Sequence, residues 1–183
     1  MNFLKTIAIL CSALLVVFLE SAFNGVRQLL GAQIDLLPAL IVYASLSGGL
    51  PTITLLAVLG GLGFDSLSSN PLGVSVLPLF LVGLFLHQNR ELVIREQPYA
   101  QMVLGFIASA AVPALTLLLL VNAGTEPMLG WKSLWQWLVM SVGGAVGTPL
   151  CFRLFDGFNR AFAYQQMPET SFRSDREIKR GRV

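Results

Sequence analysis

Charge is scarce in this chain. Only 12% of its 183 residues are charged, there is a single histidine, and the two cysteines, Cys11 and Cys151, lie far apart with no CxxC spacing. These shortages exclude several classes of function. No His, Cys or acidic cluster has the spacing of a metal site, and both cysteines sit in apolar runs, where they read as buried structural thiols. A formal net charge of +2 leaves no basic footprint for nucleic acid. His87 has only Glu91 and Glu96 as nearby acids, which are ordinary surface charges. The glycine-rich stretch at 143–147 lacks the Lys and Ser or Thr that would hold a nucleotide phosphate and its metal. With no nucleophile, base and metal set in view, the expectation is a protein that is not an enzyme and carries no cofactor.

What the chain has in abundance is apolar sequence. Hydrophobic residues make up 55% of it and the mean hydropathy is +0.71, more apolar surface than one soluble core of this size hides. The apolar runs are too long for barrel strands of about 10 residues and suit helices of about 20. The expected fold is an all-α integral membrane protein, a compact six-helix bundle over residues 1–166 with short loops, followed by a basic cytoplasmic tail over 167–183 that cannot bury a core.

The first run, residues 3–23, follows Lys5 and resembles a signal peptide, but Glu20 and Ser21-Ala22-Phe23 make a poor cleavage site, so it reads as a retained helix. Runs at 99–121 and 131–155 are long enough to span, and Trp131, Trp135 and Trp137 supply an interfacial aromatic anchor. The last helix is expected to continue into water through Arg153, Asp156 and Arg160. Between them, runs at 34–47 and 52–64 are short and are separated by Ser47-Gly48-Gly49-Leu50-Pro51, a strong turn signal. At 1.5 Å per residue each covers roughly 20 Å of a hydrocarbon core of about 30 Å, so both central helices need shelter from their neighbours. A fourth run, 71–87, is expected to start with Asn70 as cap and Pro71 at the first helical position. Six crossings result, or five if the 34–64 hairpin does not cross twice.

Basic residues orient the bundle. With the N-terminus inside, all of the twelve Lys and Arg except Arg27 and Lys132 fall on the inner side, so both termini are expected in the cytoplasm. Residues 88–98 read first as a solvated linker, with a short interfacial helix on which Glu91 and Arg95 pair as the alternative, and the basic tail can lie on anionic lipid or meet a partner.

Three carboxylates then gather near the outer interface: Glu20, Asp35 and Asp65. Glu20 is expected to reach the outer water. Asp35 precedes Leu36-Leu37-Pro38 and is expected to cap a helix N-terminus, where the dipole favours an anion. Asp65 stands at the end of Gly60-Gly61-Leu62-Gly63-Phe64, a helix C-terminus, where the dipole opposes it. It therefore needs a partner. Arg27 is one candidate; Ser66, Ser68, Ser69 and the amides ahead of Pro71 are others. Gly143 and Gly147 share a helix face, as do Gly105 and Ser109, and both pairs are expected to let helices approach closely within the molecule.

From Gln33 to about Leu86 the chain resembles the rod shape-determining MreD family. The resemblance is carried by Ile34-Asp35-Leu36-Leu37-Pro38 opening a helix, by Gly60-Gly61-Leu62-Gly63-Phe64-Asp65 closing one, and by Ser66-Leu67-Ser68-Ser69-Asn70-Pro71-Leu72-Gly73-Val74 entering the next. Where that family often has Arg-Pro-Asp, this chain has Gln33-Ile34-Asp35, so no role for that arginine transfers. The resemblance implies a non-enzymatic subunit of the bacterial inner membrane that maintains rod shape. It implies binding to the bitopic protein MreC and, indirectly, to actin-like MreB, RodA and a class B transpeptidase that build peptidoglycan. Asp35, Pro38, Asp65, Ser66, Pro71, Gly73 and Arg27 would order the outer face, with Gly143 and Gly147 packing the bundle. The family's fold is also similar to the substrate-binding subunits of energy-coupling-factor vitamin transporters, which supplies the alternative. Coupling to such a transporter module would favour an AxxxA pattern on the first helix, for which Ala8 and Ser12 are a weak substitute.

Overall fold

A computed structural model describes residues 3–22, 31–68, 71–93, 97–124 and 130–163. Among them the chain is entirely helical: α1 (Phe3–Ala22), α2 (Leu37–Ser47), α3 (Leu50–Leu67), α4 (Val76–Gln88), a 3-10 turn (Arg90–Leu92), α5 (Pro98–Asn122) and α6 (Trp131–Ala163). Four of these, α1, α3, α5 and α6, are long and apolar enough to cross a membrane. The tail from 167 onward, Arg27, Asn70 and Arg95 lie outside the described residues.

Helix α2 is the axis of the bundle. Every residue from Leu37 to Ser45 is buried, and α1, α3, α4, α5 and α6 all pack against it. A helix that is apolar on every side has no face to offer water, which is why its sequence shows no amphipathic period. With 11 residues it rises about 16 Å, so the surrounding helices, not its own length, carry it through the layer. Gly48 and Gly49 end it, and Pro51 in the first turn of α3 starts the next helix without wasting a donor. The expected shelter of the short central helix is thus present, while α3 is longer than its apolar block, running 18 residues through Asp65.

Helix α4 starts later than expected. Residues 72–75 form a turn and the helix begins at Val76, so Pro71 does not occupy its first position. The last helix continues without a break for 33 residues and includes Asp156 and Arg160, as the sequence indicated.

Close approach depends on glycine at each crossing. A Cβ on Gly83 would stand 2.6 Å from Ile53 of α3, and one on Gly61 would stand 2.9 Å from the Val76 backbone. Gly143 and Gly147 receive Ile34 and Leu36, the two residues that lead into α2, each 2.6 Å from where a Cβ would be. Gly105 abuts Thr148, and Gly144 abuts Ser109, closing the α5–α6 interface. The small residues therefore serve packing within the chain.

Peripheral α1 presents a narrow stripe, Ile9, Ala13 and Val17, to the core and leaves Leu14, Leu15 and Phe18 exposed. Cys11 lies on that outer side, and Cys151 is half-buried on α6. The expectation of two buried thiols fails for Cys11, because only Ile9, Ala13 and Val17 of the stretch from Lys5 to Ala22 are buried. The outer surface is rich in exposed Leu, Phe and Trp. Trp131 and Trp135 are exposed on it, whereas Trp137 Nε1 donates to the Ala110 carbonyl of α5 at 2.9 Å.

Gly144→Val forces a branched side chain against Ser109, and overpacking of this kind costs about 1–3 kcal/mol. The variant is expected to melt several degrees below wild type in detergent. Gly130→Ala, with nothing within 4 Å of the new Cβ, is expected to match wild type.

Candidate functional site

At one end of the bundle meet the last turns of α1 and α3, the first turns of α2 and α4, the second half of α5 and the start of α6.

The first four amides of any helix lack intrahelical partners, and for α2 they are buried among other helices. Two carboxylates supply acceptors. Glu20 Oε1 accepts from Leu36 N at 2.8 Å and Asp35 Oδ1 accepts from Leu37 N at 2.8 Å. Asp35 thus acts at the helix start as expected, from the residue before Leu36, and is only 5% exposed. Pro38, in the first turn, has no amide hydrogen to satisfy, which removes one more orphan donor. Glu20 does not reach water in the way expected. It is bonded to the α2 entry, and its second oxygen, Oε2, is buried without a hydrogen-bond partner among the described residues. The sequence gave no sign of this because the contact joins residues 16 apart through the fold.

A second tie holds the same entry from the other side. Gln136 of α6 accepts from Gln33 N at 3.1 Å through Oε1 and donates to Gln33 O at 3.0 Å through Nε2. One amide side chain thereby satisfies both backbone polar groups of a residue 103 positions away. Gln136 was missed in the sequence, where a lone glutamine in an apolar helix carries no positional signal.

Asp65 is 1% exposed and is the most fully engaged side chain of the site. Its Oδ2 accepts from Gly73 N at 2.9 Å and Ser75 N at 3.1 Å, and its Oδ1 accepts from the Ser75 hydroxyl at 2.5 Å. The dipole argument required a partner, and the partner is the start of the following helix. A carboxylate misplaced at the end of α3 is correctly placed for the beginning of α4, whose positive end it faces. Of the other expected donors, Ser66 bonds to Gly63 O on an exposed face and the Ser68 hydroxyl to the Asp65 carbonyl, while Ser69, Asn70 and Arg27 lie outside the described residues. Gly73 takes φ +91°, a conformation that side-chain-bearing residues rarely adopt, and this turns its amide into the clamp.

Beside these groups is a cavity of about 250 Å³. Asp35, Ser75 and Thr116 contribute its polar positions, and the remaining wall comes from apolar residues of α2 to α6. Among the described residues no group of His, Cys, Asp and Glu is arranged to hold a metal ion. His87, at the opposite end, places Nδ1 3.1 Å from the Ser45 carbonyl and ties α4 to α2.

Comparison of the chain with protein-family models, with curated proteins and with solved structures finds no match.

Asp65→Ala leaves the buried Ser75 amide and the Gly73 amide without their acceptor, and charged-group bonds of this kind are worth about 1.5–3 kcal/mol each. Asp35→Ala removes one bond, a loss of about 1–2 kcal/mol. Unfolding titrations in mixed micelles are expected to rank Asp65→Ala well below Asp35→Ala, and equal losses would contradict the assignment of three bonds to Asp65.

Proposed function

We propose that the chain is a non-enzymatic, multi-pass subunit of the bacterial inner membrane that supports rod shape by binding an MreC-like bitopic protein. Through that partner it meets actin-like MreB, RodA and a class B transpeptidase. One observation carries this reading: the Asp65 clamp closes on Gly73 and Ser75, so two features of the stretch that carries the family resemblance, the aspartate and the glycine that enters the next helix, are bonded to each other. Leu67 and Leu72 flank the clamp at 58% and 71% exposure. Apolar side chains at a helix end and beside a bonded turn are suited to a protein contact, since little ordering entropy is lost on binding. The six helices, with α2 and α4 sheltered by longer neighbours, cross as three hairpins with both termini in the cytoplasm.

The cavity beside Asp35 favours a second reading, a substrate-binding subunit of an energy-coupling-factor type transporter. The same experiment separates the two. Tagged protein extracted from native membranes in mild detergent is expected to bring down a bitopic MreC-like protein and cell-wall synthases, and Asp65→Ala is expected to reduce that recovery more than Asp35→Ala does. Recovery of an ATP-hydrolysing pair with its transmembrane coupling subunit replaces the first reading with the second.

The topology has its own test. A periplasm-dependent phosphatase reporter is expected to be active when fused after Gly124 and inactive after Asn89 or at the C-terminus. Activity at Asn89 would overturn the six-crossing arrangement.

A further inference from the structure

The cavity at the carboxylate end differs in character along its length. At one position stands Asp35, buried and already committed through Oδ1 to the Leu37 amide. Glu20 accepts from the adjacent amide, Leu36 N, so a second carboxylate lies close behind the first. Among the described residues no Lys or Arg meets either one. Away from Asp35 the wall is hydrocarbon, with Leu37, Phe64 and Leu79 on one side and Val112, Leu117 and Leu120 on the α5 side.

We propose that this cavity binds an amphiphile bearing a primary ammonium group, with the cation on Asp35 and the hydrocarbon against the second half of α5. Three features select that chemistry. Two adjacent carboxylates repel an anionic head and attract a cation, and in a water-poor cavity that preference is far stronger than at a surface. An ammonium carries three donors, enough for Asp35 and for the hydroxyls of Ser75 and Thr116 that line the same space. The volume of about 250 Å³ lies below the 300–1,000 Å³ usual for drug-sized ligands, which suits a single chain or a small amine and not a large cofactor. Pro113 stands at the cavity wall, where it removes a backbone hydrogen bond from α5. Binding to this cavity is measured without any protein partner.

The probe is octylammonium chloride, titrated into the full-length protein in a nonionic maltoside and followed by calorimetry and thermal stability. Saturable binding is expected for octylammonium, binding about tenfold weaker for octanol, which lacks the charge, and none for octanoate. Asp35→Asn is expected to weaken octylammonium about tenfold. Because that substitution also alters the α2 cap, Leu117→Trp provides a second variant, which fills the cavity and leaves both carboxylates in place. Folded Leu117→Trp protein is expected to bind no octylammonium. Equal binding of octanol and octylammonium, or wild-type binding by Leu117→Trp, overturns the proposal. Mass spectrometry of the wild-type protein released from native membranes identifies the source of the amine. A retained aminophospholipid that Leu117→Trp loses assigns the site to a lipid headgroup, and saturable octylammonium binding with no retained lipid assigns it to a free amine. Failure of both overturns the site.

Discussion

A helix buried on all sides has to end somewhere, and its ends cannot be hydrated. For α2 this is the governing constraint, because five helices surround it and its first amides open into the same packed interior. Glu20 and Asp35 resolve it by accepting from consecutive amides, and Gln136 secures the peptide unit just before them. The arrangement puts two acids side by side in a poorly hydrated region, an expensive choice unless a cation or proton is shared with them. The polar character of this end of the bundle is therefore a consequence of how deeply its central helix is buried.

Asp65 meets the same demand one hairpin later. By reaching from the end of α3 to the start of α4 it fixes the angle at which the chain reverses, and Gly61 lets the Val76 backbone come within contact distance of α3. Close packing and polar satisfaction are coupled here. Without the glycine the helices stand apart and the carboxylate no longer reaches; without the carboxylate the approach leaves buried donors unpaired.

Much of the architecture was legible in the sequence because apolar run length and turn chemistry are local signals. The Gly48-Gly49 break and the continuation of the last helix past Arg153 follow from nearest neighbours along the chain, whereas Leu50 and Pro51, read as part of the turn, open α3. The small-residue pairs at Gly105 and Ser109 and at Gly143 and Gly147 also read correctly as internal packing. The polar site was legible only in part. That Asp65 required a partner followed from the helix dipole, yet its identity did not, since Ser75 lies beyond a turn whose course depends on Gly73. Glu20 looked like an acid at a helix end near water, and only the packing of α1 on α2 and α3 reveals that it is enclosed. Pro71 looked like a helix start because Asn-Pro is a sound local signal; the Asp65 clamp delays the helix to Val76. Sequence reading fails where one residue answers a need created by another element.

The ties that hold α2 differ in when they become available as the chain is made. Glu20 and Asp35 precede the helix they cap, so its N-terminus is satisfied once α1 and α2 have both left the ribosome. Gln136 and the glycines that receive Ile34 and Leu36 emerge about a hundred residues later, with α6. During that interval α2 has its cap but lacks part of its wall, the side that Gly143 and Gly147 will close.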